Sequence, residues 1–179
     1  FAHLIPKETY GEYKYILSIT GVLGIFSLSG MGVAITRAVS AGYDGTILPV
    51  VRRALKWNSA LFPVALIVSG YYFVAGNYSL AVSFAIFALV APLIASFNLY
   101  DGFLIGKKDF KSSVIASASI SVIVALGLFA AMFSSPSPTL LIFIYFSLTT
   151  LGTIYFYRRT ISRYHPNPDK IDPATATYG

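Results

Sequence analysis

Charge along this chain is confined to short clusters, and the stretches between them are long enough to cross a bilayer. No Asp, Glu, Lys or Arg occurs from Tyr15 to Thr36, from Trp57 to Tyr100 or from Ser112 to Tyr157. A hydrocarbon core about 30 Å thick takes about 20 apolar residues of helix, so the first run is one crossing and the other two are about two crossings each. Composition agrees: 56% of the residues are hydrophobic and 11% charged, against roughly 25% charged in soluble domains. The spacing therefore predicts an all-α, polytopic integral membrane protein with about five transmembrane helices.

Both long runs carry a polar break near the middle. Gly76, Asn77, Tyr78 and Ser79 interrupt the first, and Ser134, Ser135, Pro136, Ser137 and Pro138 the second, so each reads as a helical hairpin. The expected spans are 15–36, 58–75, 80–100, 113–133 and 139–157. Residues 1–14 form a polar entry segment, 15–157 the bundle, and 158–179 a polar tail. After Pro49 the stretch with Arg52, Arg53 and Lys56 beside Val51, Ala54 and Leu55 reads as amphipathic and is expected at the membrane interface.

Of the 13 Lys and Arg residues, all but Lys7 and Lys14 fall on one side of this arrangement. Short basic loops stay cytoplasmic, so that side is expected inside and the start of the chain outside. An outside start, with Phe1 rather than Met and no signal peptide legible, predicts a fragment with at least one helix upstream. Trp57, Tyr71, Tyr72, Tyr100, Tyr155 and Tyr157 lie near expected span ends, where amphipathic rings favour the interface.

Several function classes lose support at this point. The net charge of +6 comes without a basic stripe on a soluble fold or an aromatic RNA-binding motif, so no nucleic-acid partner is expected. The absence of cysteine leaves no disulfide, thiolate metal site or cysteine nucleophile in the chain. Partnered nucleophiles, metal-spaced clusters and phosphate-cradling loops are missing too, so neither an enzyme nor a cofactor or metal is expected. His3 and His165 lie in polar segments and take no role. Asp44, Asp101 and Asp109 belong to loops or span ends, which leaves no proton-relay carboxylate within a span.

Within the spans, small and helix-breaking residues bear on packing and on transport. The first holds Gly21, Gly24, Gly30 and Gly32 with Ser27 and Ser29, which let neighbouring helices approach closely. Pro63 and Pro92 each remove a backbone hydrogen bond and predict local kinks. Ser113, Ser117 and Ser121, with Ala125, recur every four residues and form a small, weakly polar stripe on one helix face. That stripe reads either as a packing surface or as a wall of a hydrated cavity.

The stretch KETYGEYKYILSITGVLGIFSLSGMGVAITRAVSAG resembles the second-helix region of bacterial oligosaccharide flippases, the Wzx-like polysaccharide biosynthesis proteins. It carries that family's Tyr-Gly-x-Tyr, a Gly-rich helix and an exit at Ala34, Ile35, Thr36 and Arg37. YYFVAGNYSLA resembles its short outer turn, and Leu104 to Phe110 its inner loop with Gly106 and Lys107. The resemblance runs along essentially the whole chain. It implies the multidrug/oligosaccharidyl-lipid/polysaccharide exporter superfamily, with two six-helix lobes around a central cavity. The chain would supply helices two to six of the first lobe, and 158–179 a cytoplasmic linker in which Tyr178 and Gly179 lead to the second.

The implied activity is movement of an undecaprenyl-diphosphate-linked oligosaccharide from the inner to the outer leaflet of the bacterial plasma membrane by alternating access. The implied partners are that substrate, membrane lipids, and glycosyltransferases or a polymerase of the same pathway. A diphosphate needs cations, and Arg offers a planar pair of donors. Arg37 is the candidate nearest a span, with Arg52, Arg53, Lys107 and Lys108 as candidates at a cavity entrance; without the resemblance each reads as a positive-inside anchor. A drug or ion-coupled exporter of the same superfamily and a non-transporting membrane scaffold stay open as alternatives.

Overall fold

The computed structural model describes residues 6–25, 30–133 and 137–177, and every regular element among them is helical. The chain runs through α1 (Lys7–Gly24), α2 (Met31–Ser40), a single 3-10 turn (Asp44–Thr46), α3 (Ile47–Asn58), α4 (Leu61–Val74), α5 (Tyr78–Phe97), α6 (Tyr100–Gly106), α7 (Phe110–Ala131), α8 (Pro138–Tyr164) and α9 (Pro173–Thr177). Four stretches are long and apolar enough to span a membrane: Asp44–Val74, Tyr78–Gly106, Phe110–Ala131 and Pro138–Tyr164. The fifth expected crossing, 15–36, is divided between α1 and α2, and Ser27 and Ser29 lie outside the described residues. The same is true of His3, Ser134, Ser135, Pro136, Tyr178 and Gly179.

Element boundaries follow from local chemistry. α1 begins at Lys7, eight residues before the expected span, because Tyr13 in the polar entry segment is buried against the bundle together with Ile16 of the span. The amphipathic stretch after Pro49 is α3, and its apolar face packs on the bundle. Its Val50, Val51 and Ala54 are buried with Leu99 and Phe103, so the helical stretch that holds the second crossing starts about a dozen residues early. The pattern that suggests a surface helix is satisfied instead by protein on one side.

The expected kink at Pro63 appears at Ser59–Ala60, between α3 and α4. Proline cannot donate to the carbonyl four residues back and crowds it, and the carbonyl of Ser59 accepts from the Phe62 amide at 3.1 Å instead. α5, by contrast, runs through Pro92.

Helix ends are closed by specific caps. Asn77, Asp109 and Ser137 each accept a hydrogen bond from the backbone amide three residues on, capping α5, α7 and α8. α2 and α4 end in Gly42 (φ +95°) and Gly76 (φ +79°), each followed by the paired backbone bonds of a left-handed cap.

α5 is the centre, packed against α4, α8, α3 and α1, while α7 packs on α8 and α2 on α6. Half of the most apolar stretch of Tyr78–Gly106 is buried, against 17% for Asp44–Val74. One core layer gathers Ile16, Phe84, Phe87, Ala88, Leu141 and Phe146. A second, at the other end, gathers Ile35, Val39, Ile47, Val50 and Phe103. Some hydroxyls in the helices are satisfied locally, as where Ser83 and Thr150 donate to the carbonyls four residues back, which removes the cost of a bare donor in lipid.

Two contacts are closer than ordinary side chains allow. A Cβ on Gly102 would lie 2.6 Å from the carbonyl oxygen of Gly32, and the Thr36 hydroxyl donates to the Gly102 carbonyl at 3.0 Å. α2 and α6 thus touch backbone to backbone. After α8 the tail folds back: a Cβ on Gly45 would overlap the Asn167 carbonyl, and the Asp172 amide donates to Thr46 Oγ1 at 2.9 Å. The residues from His165 to Thr177 therefore dock on the α2–α3 connection.

Candidate functional site: the basic end of the bundle

The ends of α2, α6 and α8 and the starts of α3 and α7 meet at one end of the bundle, which carries Arg37, Lys107, Lys108, Lys111, Arg158, Arg159 and Arg163. α8 explains how they reach it. Its 27 residues make about 40 Å of helix, about 10 Å more than the hydrocarbon core. The final turns carrying Arg158, Arg159 and Arg163 thus extend the helix past the apolar stretch, where the expected tail would have placed them in a loop.

The opposite end is neutral by comparison. There Glu12 of α1 accepts from Ser79 at 3.2 Å and from Asn77 at 3.5 Å, and Ser79 lies 3.3 Å from Thr139. This network joins the starts of α1, α5 and α8. No local pattern announces it, because its members are far apart in sequence.

The five cations singled out from the sequence have different surroundings. Lys107 is partly buried, pairs with Asp44 at 3.0 Å and sits 5.8 Å from the centre of the Phe103 ring. It ties the α6–α7 turn to the 3-10 turn. Lys108 is exposed and left-handed (φ +60°), in the cap position that Gly42 and Gly76 fill elsewhere. Arg52 is exposed and Arg53 partly buried on α3. Arg37 is exposed on α2, next to the Gly32–Thr36–Ser40 edge that meets α6, and has no ion-pair partner among the described residues.

The serine stripe divides as well. Ser113 is buried and donates to Asp101 of α6, while Ser117 and Ser121 are exposed. The buried residues of α7 are Ser113, Ala116, Val124, Leu128 and Ala131, and Gly127 and Gly152 let Leu148 and Ile120 approach the facing helix closely.

The cations that share a crevice are ones the sequence does not single out. Lys111, Arg159 and Arg163 line a space of about 290 Å³ between the ends of α7 and α8, with Ser112, Asp109 and Tyr164. Arg163 donates to Ser112 Oγ at 2.9 Å and pairs with Asp109 at 3.2 Å, and the Tyr164 hydroxyl donates to Asp109 at 2.6 Å. Hydrogen bonds from Ser112, then from Tyr164, with the Arg163 charge adding, hold the Asp109 carboxyl down at about 2. It stays ionised at every physiological pH.

Large apolar residues cover the outside of the bundle, with Ile67 at 73%, Val74 at 88% and Leu126 at 63% exposure. An apolar surface this continuous needs lipid around it, so the chain is a helical membrane protein with a basic end. The family model described as "Polysaccharide biosynthesis protein" matches residues 1–177, and the chain belongs to that family. Neither the curated proteins nor the solved structures give a match.

Proposed function

We propose that the protein is a transporter that moves an undecaprenyl-diphosphate-linked oligosaccharide from the inner to the outer leaflet of the bacterial plasma membrane by alternating access, for polysaccharide synthesis. The family membership over residues 1–177 carries this reading. In it the chain is helices two to six of a two-lobe transporter, its basic end is cytoplasmic, and its work is transport without bond-making. Glycosyltransferases or a polymerase of the same pathway deliver and take up the substrate.

Arg37 is the residue this reading depends on most. It is a charge on an uncovered helix face with no protein partner among the described residues, available to a diphosphate that reaches that face. Ser117 and Ser121, both exposed on α7, are the remaining candidates for a cavity wall; Ser113 is engaged with Asp101. Arg52, Arg53 and Lys108 serve in gathering anionic headgroups at the entrance, while Lys107 spends its charge on Asp44.

The test uses the full-length protein. Losing a charge-assisted bidentate contact costs about 1.5 to 3 kcal/mol, roughly ten- to a hundredfold in affinity. Arg37→Ala is expected to cut delivery of lipid-linked oligosaccharide to the outer leaflet at normal membrane abundance, and Arg37→Lys to restore it in part. Wild-type delivery by Arg37→Ala would make Arg37 an anchor and remove the residue-level support for the reading.

A further inference from the structure

The cationic crevice at the α7–α8 ends adjoins an apolar groove. Phe156 belongs to both: on one side of it lie Lys111 and Arg159, on the other Gly152, Ile120 and Leu148 of a second space of about 250 Å³. From Arg159 to Leu148 the groove follows 11 residues of α8, about 16 Å of rise. That is close to half the thickness of a hydrocarbon core, the depth of one leaflet. The groove is open along its length, with Ile123, Leu151 and Tyr155 exposed.

The polar end has charge to spare. Arg163 is engaged by Asp109 and Ser112, but neither Lys111 nor Arg159 has an ion-pair partner among the described residues. Three cations face one carboxylate, and that carboxylate is already occupied by Arg163 and Tyr164. An unneutralised pair of cations at headgroup depth, above an apolar channel one leaflet long, matches an amphiphile with a phosphate at one end and an acyl chain behind it.

We propose that the α7–α8 groove is a binding site for one anionic phospholipid of the leaflet at the basic end, its phosphate between Lys111 and Arg159 and one acyl chain along Phe156, Gly152 and Ile120. A soluble phosphate would leave the apolar half unused, and a zwitterionic lipid brings its own cation against Lys111 and Arg159. The site lies on the outer surface of one helix pair and does not depend on what the protein transports.

Native mass spectrometry on the detergent-solubilised full-length protein tests this, with phosphatidylglycerol and phosphatidylcholine of identical chains titrated in turn. Phosphatidylglycerol is expected to be retained at about tenfold lower concentration than phosphatidylcholine, since both bring the phosphodiester but only phosphatidylcholine adds a cation against Lys111 and Arg159. The double variant Lys111→Gln/Arg159→Gln should abolish that preference, and Arg158→Gln, one residue outside the crevice, should keep it. Leu151→Trp, which crowds the apolar half at an exposed position, should weaken retention with both cations intact.

Equal retention of the two lipids by the wild type would overturn the proposal, as would loss of preference in Arg158→Gln to the same degree. Competition by glycerol phosphate at the lipid's own concentration would show a soluble-phosphate site. Displacement by undecaprenyl diphosphate at a tenth of the phospholipid concentration would give the groove to a polyprenyl carrier.

Discussion

Asp109 does two things that ordinarily belong to different residues. As the cap of α7 it accepts the Ser112 amide at 3.1 Å, and as a charge it holds Tyr164 and Arg163 of α8. Asn caps a helix about as well as Asp, so Asp109→Asn removes the charge and leaves the cap. Because the folded carboxyl sits at about 2, below the ordinary 3.8, its stabilising contribution is complete at neutral pH. It is lost as the pH falls from about 4 through 2. In a thermal-melt series across pH the wild type is expected to lose stability over that acidic window, and Asp109→Asn to start lower and change less. Parallel curves would mean that the carboxylate holds nothing across the α7–α8 seam. Charge clusters in the sequence mark where such groups lie; which cation faces which carboxylate is decided by the antiparallel return of α8, which places Tyr164 and Arg163 beside a residue 55 positions away from Tyr164.

Elements in this bundle are joined by what side chains are missing as much as by what they fill. The α2–α6 contact has backbone against backbone, with Gly32 and Gly102 at the crossing and Thr36 and Ser40 donating to the carbonyls of Gly102 and Gly106 at 3.0 and 3.4 Å. Gly102→Ala puts a methyl 2.6 Å from a carbonyl oxygen that cannot rotate away. The helices must separate, at a cost of about 1–3 kcal/mol. Gly70→Ala, inside α4 with nothing within 4 Å of the added carbon, should be neutral or slightly stabilising, since Ala is the better helix former by about 1 kcal/mol. Detergent melting temperatures of the two variants check this, and a silent Gly102→Ala would mean that α2 is loosely held. Gly102 and Gly106 show the small-xxx-small spacing in the sequence, yet nothing there names Gly32 and Thr36 as the partners. That pairing comes from the bend between α5 and α6, which turns the second crossing of the hairpin toward α2.

For the molecule as a whole, charge-free runs and polar breaks identify the membrane class and the two hairpins, because bilayer thickness imposes a length that survives in one dimension. They do not show that α1 starts at Lys7, that the first run divides into α1 and α2, or that α3 packs its apolar face on the bundle, since burial against neighbouring helices looks like lipid or interface from the sequence alone. What the fold adds to orientation is that the two ends differ chemically. Glu12, Asn77, Ser79 and Thr139 gather at one end without Lys or Arg among them, while Lys107, Lys111, Arg159 and Arg163 gather at the other. Basic residues near span ends resist translocation, which gives a prediction that the whole bundle must obey at once. The 179 residues hold no cysteine, so single substitutions within them can be labelled one at a time in an otherwise cysteine-free full-length protein. Tyr78, 63% exposed at the start of α5, and Arg158, exposed past the apolar part of α8, avoid the caps and the crevice. The Tyr78→Cys variant should react with an impermeant maleimide added to intact cells. Arg158→Cys should react only after the membrane is opened. Because all crossings share one frame, the opposite result at both positions would invert every loop together, move the α7–α8 crevice to the outer leaflet, and put Arg37 on the side where a lipid-linked substrate is released rather than collected.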